Sequence, residues 1–237
     1  MSDKIPIFDS LTHPTLTGTW LNSAADATFN SLTKSLNENQ ISKAFSVGIF
    51  GVEEYEHISF IKNCKKDKRL IPIAGIDVFS NDISNKIKKI KELGYTGVKL
   101  HPRFGNFNLT DNRDLIINIL KECYTNNLIV LFCTYFSTTI SHYPTKDPYW
   151  DLVKVLKGAP NTKIILLHGG GTRLLLYADL VRFNNHLILD LSYTIIKYKG
   201  SSLEQDIKYL FKTFDRKLCI GSDHPEFSQS ELRICVE

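Results

Sequence analysis

Histidine side chains stand where several short apolar runs of this chain end. His13, His101, His168 and His224 each end or closely follow such a run, and His142 falls in a longer loop. Imidazole is a general acid or base near neutral pH and the commonest metal ligand among side chains. Four of the seven histidines occupy these positions, so the pattern predicts one shared site.

Carboxylate, thiol and amine groups occur at the same kind of position. Asp9, Asp77 and Asp223 lie near the ends of the first, third and eighth runs. Cys133 lies near the end of the fifth run, and Lys99 lies in the fourth on the same face as its last residue. These side chains could form a divalent-metal site or support metal-free acid–base chemistry, and the residue types leave both open.

Eight apolar runs alternate with longer amphipathic stretches. Their starts are 23 to 39 residues apart, and a βα unit needs roughly 30 residues, so each interval holds one helix. Eight such units predict a (β/α)8 TIM barrel spanning residues 1–237 as one domain. A doubly wound open sheet is the weaker alternative, since no glycine-rich phosphate loop follows the first run. The predicted strands are Ile5–Asp9, Ala44–Phe50, Leu70–Asp77, Gly97–His101, Leu128–Tyr135, Lys163–His168, His186–Ser192 and Lys217–Asp223.

Several amphipathic stretches carry helix start and stop signals. Asn81–Leu93 has apolar residues at helical spacing and stops at Gly94, while Asp111 and Ser202 are suitable N-terminal residues for two later helices. After the eighth strand, Gln229–Glu237 supplies only about two helical turns. The eighth helix is therefore short, in a minimal barrel or a truncated one. In the truncated case, uncovered apolar surface predicts a homo-oligomer.

Composition excludes several classes of protein. The chain has 237 residues, of which 43% are hydrophobic and 23% charged, as in globular proteins. A net charge of +4 without a dense basic face argues against nucleic-acid binding. The sequence contains no run of about 18 apolar residues, which argues against a membrane-spanning helix. The five cysteines are odd in number and form no CxxC pair, which predicts free thiols and a cytoplasmic location.

Four motifs, in order along the chain, resemble those of the amidohydrolase superfamily. They are IFDSLTH at 7–13, GVKLHP at 97–102, IILLHGGG at 164–171 and CIGSDHP at 219–225. The resemblance covers nearly the whole chain and is nearest to the amidohydrolase-related branch. That branch contains metal-dependent hydrolases and aminocarboxymuconate-semialdehyde-type decarboxylases.

The resemblance implies a divalent metal, Zn²⁺, held by His13, Cys133, His168 and Asp223. The chain departs from the family pattern twice. The first histidine of the family's His-x-His falls at Leu11, which cannot bind a metal, and the strand 5 histidine falls at Cys133, whose thiolate can.

The resemblance also implies catalytic roles. Asp223 would take a proton from the attacking water, and His168 would polarise the substrate or the water. His101 and Lys99 complete the candidate catalytic residues, and Arg103 is the expected contact for an anionic small-molecule substrate.

Three functions remain open from the sequence. The first is a metal-dependent hydrolase in which metal-activated water attacks a small ester, lactone or amide. The second is a non-oxidative decarboxylase of the same branch. The third is a catalytically degenerate barrel that binds or regulates, because Leu11 and Cys133 stand where the resemblance expects metal ligands.

Overall fold

Eight parallel strands form one sheet, hydrogen-bonded in chain order from the first to the eighth. The computed structural model describes residues 5–136, 144, 146–214 and 216–237, so His142 lies outside the described residues. The strands are β1 (Ile7–Thr12), β2 (Ile41–Val47), β3 (Leu70–Gly75), β4 (Gly97–Leu100), β5 (Ile129–Cys133), β6 (Ile164–Leu167), β7 (Leu187–Asp190) and β8 (Leu218–Cys219).

Helices follow the strands around the outside of the sheet, as βα units require. They are α1 (Phe29–Glu38), α2 (His57–Cys64), α3 (Ile83–Leu93), α4 (Arg113–Thr125), α5 (Pro148–Gly158), α6 (Leu174–Arg182), α7 (Thr194–Lys197), α8 (Leu203–Thr213) and α9 (Gln229–Val236). A 3-10 segment, His168–Arg173, links β6 to α6. In the described ranges, every helix is too short or too polar to cross a lipid bilayer.

The first and last strands meet and bring the barrel close to closure. The Ser10 amide donates to the Ile220 carbonyl at 2.9 Å, and the Asp223 amide donates to the Leu11 carbonyl at 3.0 Å. Parallel bridges join Asp9 to Ile220 and Thr12 to His224. The predicted TIM barrel is confirmed, and this seam brings the motifs at the two ends of the chain into contact.

The structure confirms the predicted end of α3 but not the predicted start of α4 or the predicted length of β8. α3 ends at Gly94, which adopts φ 101° in the left-handed region, as glycine allows. The cap predicted at Asp111 is wrong, because α4 begins after Asn112, and Asp111 instead accepts a hydrogen bond from Asn108. β8 is shorter than predicted, because the chain leaves the regular ladder after Cys219 and contacts β1 through single bridges.

Apolar side chains pack in two main layers. One cluster fills the barrel interior and includes Leu11, Phe45, Ile73, Leu131 and Leu167. A larger cluster lies between the strands and the helices. The runs in the sequence are apolar nearly throughout because both faces of each strand are covered.

The last helix is short, as the sequence predicts. α9 begins at a capping box formed by Ser228 and Glu231, and its Gln229 and Leu232 are fully buried. A cavity of about 400 Å³ remains beside it, lined partly by Phe211 and Ile220.

Substituting Gly221→Ala tests how tightly the seam is packed. A Cβ atom there would lie 2.7 Å from Ser10 Oγ and 2.9 Å from the Leu11 amide nitrogen. We expect the free energy of unfolding to fall by about 1–3 kcal/mol, because strand backbone must move. Urea unfolding near neutral pH measures this, with Lys212→Ala on the exposed face of α8 as the control. Equal stability of both variants and the wild type would contradict a tightly packed seam.

Candidate active site

Six of the predicted site residues meet at the carboxyl ends of the strands. Each comes from the last residues of its strand or from the turn that follows, as the barrel topology requires. All six are buried: His13, Lys99, His101, Cys133, His168 and Asp223.

His13 and Asp223 form a pair across the seam. His13 Nε2 lies 3.4 Å from Asp223 Oδ1, and His13 Nδ1 lies 2.8 Å from the Val47 carbonyl oxygen. A carbonyl only accepts, so Nδ1 carries a proton, and Nε2 donates to the carboxylate when the ring is doubly protonated. The indole of Trp20 stacks on the His13 ring at 5.2 Å and fixes its plane.

The Asp223 carboxyl is held in its ionised form. Burial by itself would raise its pKa, but the hydrogen bond with His13 and the charges of His168 and Lys99 outweigh burial and hold the pKa well below the usual range. Burial lowers the pKa of His13, although its hydrogen bond with Asp223 opposes this effect.

Cys133 lies between two imidazoles and is hydrogen-bonded to both His101 and His168. Burial would raise the pKa of the thiol, but these two rings lower it well below its usual value. Burial likewise would lower the pKa of His168, yet the charges of Cys133 and Asp223 raise it to about 8. Cys133 and His168 therefore each favour the charged form of the other.

Lys99 is the buried amine of this site. Its Nζ atom is buried and has no hydrogen-bond partner in the part of the chain that the structure describes. Burial lowers its pKa, opposed by the nearby Cys133, Asp223 and Asp190. A buried amine without a hydrogen-bond partner costs free energy unless something binds it, so Lys99 marks where an acceptor on a ligand fits.

The backbone around the site adopts conformations that most residues avoid. His168, Tyr193 and Asp223 have φ values of 63°, 62° and 62°, in the left-handed region. Such strain persists only where the surrounding structure enforces it, and it concentrates at functional sites. Here the Thr194 hydroxyl helps to enforce it by donating to the His168 carbonyl at 2.6 Å.

Asp190 is a site residue that the sequence prediction missed. Its carboxylate accepts short hydrogen bonds from the Ser10 and Ser192 hydroxyls and a 3.2 Å bond from the His168 amide. It anchors the turn that carries His168. The sequence offered a signal for Asp190, because an aspartate near the end of an apolar run was also the pattern from which Asp223 was predicted.

Other polar residues lie outside the cluster. Asp9 faces α9, where its Oδ2 accepts hydrogen bonds from Ser222 Oγ at 2.6 Å and Gln229 Nε2 at 3.1 Å. Asp77 lies beyond β3 and only accepts from a neighbouring amide. Arg103 is exposed, and its guanidinium lies 5.6 Å from the centre of the Phe104 ring.

The residues present do not fit a divalent metal as they are arranged. Leu11, at the first expected ligand position, is fully buried in the barrel interior. Cys133 is engaged by two imidazoles, and the Lys99 amine lies among the acidic and thiol groups. Within the described ranges, no group of three or more His, Cys, Asp or Glu side chains is placed to hold a metal ion. The zinc ion stays a prediction of the resemblance.

His224 is buried, and it makes stability depend on pH. Burial, then the nearby His13, lowers its pKa to about 4, and its Nε2 has no partner among the described residues. The folded protein therefore favours neutral His224. The stability that the neutral His224 ring contributes is complete above pH 6.5, the usual pKa of histidine, and is lost as the pH falls towards about 4.

We expect His224→Phe to reduce the acid-induced loss of stability by about 3 kcal/mol, at about 1.36 kcal/mol per pKa unit. Urea unfolding at several pH values between 6.5 and 4 measures this. His186→Asn, at an exposed position, should keep the wild-type profile. A wild-type profile for His224→Phe would contradict the prediction.

No protein-family model matches the chain. No curated protein matches it either. Solved structures do share its fold. An uncharacterised TIM-barrel protein from Bordetella bronchiseptica aligns with a TM-score of 0.77 and 13% identity, over 97% of this chain and 90% of that one.

Two further solved structures carry functional descriptions. A probable 2-pyrone-4,6-dicarboxylic acid hydrolase from Acinetobacter baumannii, with citric acid bound, aligns with a TM-score of 0.67 and 18% identity, over 98% of this chain and 91% of that one. An amidohydrolase from Burkholderia multivorans, with bound zinc, aligns with a TM-score of 0.67 and 13% identity, over 98% and 90%. At these identities the likeness shows a common barrel fold, so function must be argued from the site.

Proposed function

We propose that this chain is a cytoplasmic hydrolase of the amidohydrolase type that acts on a small ester, lactone or amide. The observation that carries the proposal is the Asp223 carboxylate, buried at the end of the barrel with His13 Nε2 3.4 Å away. A buried, ionised carboxylate is suited to take a proton from water that attacks a carbonyl carbon.

The groups around Asp223 supply the rest of such a reaction. Lys99 Nζ has no partner among the described residues and would donate to the carbonyl oxygen as negative charge develops there. His168, with its pKa raised to about 8, would give a proton to the leaving group. His101 lies beside Cys133 and is buried like the rest of the cluster.

The substrate we propose carries negative charge. Arg103, near the edge of the site, is a cationic group suited to a carboxylate. The similar probable pyrone-dicarboxylic acid hydrolase was solved with citric acid bound, which is consistent with this choice.

Hydrolysis is preferred to decarboxylation because of the charge state of Asp223. A decarboxylase would deliver a proton to the product carbanion from a protonated aspartate or histidine, and Asp223 is unsuited to this because its pKa is held well below the usual range. A degenerate barrel is disfavoured because Lys99, whose buried Nζ has no partner among the described residues, would then carry a cost without a function.

Asp223→Asn tests the proposed function. Asparagine tolerates the left-handed backbone of this position but cannot accept a proton from water. We expect hydrolysis to fall by roughly 10²-fold or more, measured on a panel of small esters, lactones and amides with and without a carboxylate. Asp77→Asn, outside the site, is the matched control. Carbon dioxide release from carboxylates, with no hydrolysis in the panel, would favour the decarboxylase.

Metal analysis tests whether the chain holds zinc. The family resemblance implies that it does, whereas the arrangement of the site residues does not fit a divalent metal. We expect protein purified without chelator to hold well below one zinc per chain and to keep its activity in chelator. The double substitution Leu11→His with Cys133→His supplies the ligands that the family pattern has, and it should raise zinc affinity. Stoichiometric zinc in the wild type would show that the residues rearrange around a metal.

A further inference from the structure

The cavity of about 400 Å³ beside the last helix lies at the other end of the barrel seam from the candidate active site. It opens between α8 and α9 and is lined by the first residues of β1 and by β8. The residues of the candidate active site lie instead at the carboxyl ends of the strands. We call this feature the seam cavity, and six of its apolar lining residues are Ile7, Phe8, Phe211, Leu218, Ile220 and Val236.

The seam cavity exists because β1 and β8 are not paired at their amino ends. The two strands meet from Asp9 and Ile220 onwards, where the Ser10 amide donates to the Ile220 carbonyl at 2.9 Å. Among the described residues, no bridge joins the earlier part of β1 to Leu218 or Cys219. The first turn of α9 packs against the paired part of the seam, and its last turn lines the opening.

The lining comes from both hydrophobic layers of the protein. Ile7 belongs to the layer between the strands and the helices. Phe8 packs against the cluster in the barrel interior, where its ring meets the Phe45 ring edge-on with centroids 4.8 Å apart. Ile5 and Phe211 also line the cavity and are exposed. The seam cavity is therefore open to solvent and extends through the wall of the barrel.

The charged and thiol groups that line the seam cavity already have partners. The Arg233 guanidinium donates to Glu237 Oε1 at 2.5 Å. The Cys219 thiol lies 3.5 Å from Asp190 Oδ2, to which it donates. These pairings leave an ionic ligand without a countercharge in the cavity, so the burial of its charge would not be compensated. The other Arg233 nitrogens donate to backbone carbonyl oxygens, those of Ile5, Asn39 and Gln40.

These properties favour a small apolar molecule as the occupant. Ligand pockets typically have volumes of about 300–1,000 Å³ and mostly hydrophobic walls, and the seam cavity has both properties. Exposed charged side chains surround it on α8 and α9, among them Lys208, Lys212 and Glu231. The centre of a protein–protein interface is depleted of charged residues. A small molecule therefore fits this feature better than a second copy of the chain does.

We propose that the seam cavity binds a small, neutral, apolar molecule, such as a hydrocarbon chain or a fused aromatic ring system. The driving force is the removal of apolar surface from water, on the ligand and on the exposed Ile5 and Phe211 side chains. The site is separate from the candidate active site and does not depend on the proposed function.

A matched pair of fluorescent probes tests the chemistry of the ligand. Phenylnaphthylamine is neutral, and anilinonaphthalene sulfonate carries an added sulfonate on the same ring system. We expect the neutral probe to bind one site per chain with enhanced, blue-shifted emission. It should bind at least about tenfold more tightly than the anionic probe, because the charges that line the cavity are paired. Equal or tighter binding of the sulfonate, or no saturable binding of the neutral probe, would overturn the proposal.

Two substitutions on α9 test the location of the site. Val236→Phe adds a ring inside the seam cavity, and we expect it to weaken binding of the neutral probe by at least about tenfold. Ile234→Phe also adds a ring to α9, but at an exposed position outside the lining, so it should keep the wild-type affinity. If the two variants bind the probe equally well, the probe is not in the seam cavity and the proposal is wrong.

Photolabelling of the wild-type chain gives the same information if Val236→Phe does not fold. A neutral alkyl diazirine should insert into peptides that contain Phe8, Phe211 or Ile220, which line the cavity. Excess phenylnaphthylamine should suppress this labelling, as resolved by peptide mass spectrometry. Labelling confined to other peptides would contradict the proposed site.

Sedimentation velocity distinguishes a small ligand from a second copy of the chain. Phe211→Lys places a charge at the opening, so we expect it to weaken binding of the neutral probe and to leave the association state unchanged. A dimer that Phe211→Lys dissociates would show that a second copy covers the cavity, against the proposal. None of these measurements uses hydrolysis, so a failure of the proposed function and a failure of this inference are distinguishable.

Discussion

The constraint on which this site depends is that several ionisable groups are buried together and must balance one another. Asp223 supplies negative charge, two imidazoles lower the pKa of the Cys133 thiol, and His168, whose pKa is raised to about 8, supplies an opposing cation beside the Lys99 amine. An isolated buried charge costs several kcal/mol or more, so removing any one member leaves others uncompensated. The same mutual dependence holds Asp223 ionised and raises the pKa of His168, which are the two properties the chemistry requires.

The barrel seam converts this constraint into geometry. Asp223 reaches His13 because the β8 segment contacts β1 through the Leu11 carbonyl, and His13 is fixed by the Val47 carbonyl and Trp20. Gly221 permits this approach, since a larger residue would meet the backbone of β1. The seam therefore fixes the relative position of residues that lie far apart in sequence.

Much of this could be predicted from the sequence. The alternation of apolar runs and amphipathic stretches predicted the barrel, and polar residues at strand ends predicted the cluster around Cys133 and Asp223, because βα topology alone brings strand ends together. Gln229 could not be found this way, because it reaches Asp9 from a helix packed against the seam. The burial of His224 was also hidden, since it depends on how the turn after β8 folds back towards His13.

The two departures from the family pattern are best understood together. A divalent cation would compensate the acidic groups of such a site, and Leu11 removes one of its expected ligands while filling the barrel interior. Here a compensating charge comes from His168 instead, whose pKa the charges of Cys133 and Asp223 raise to about 8. The chemistry of the barrel then depends on which cation balances its buried acids.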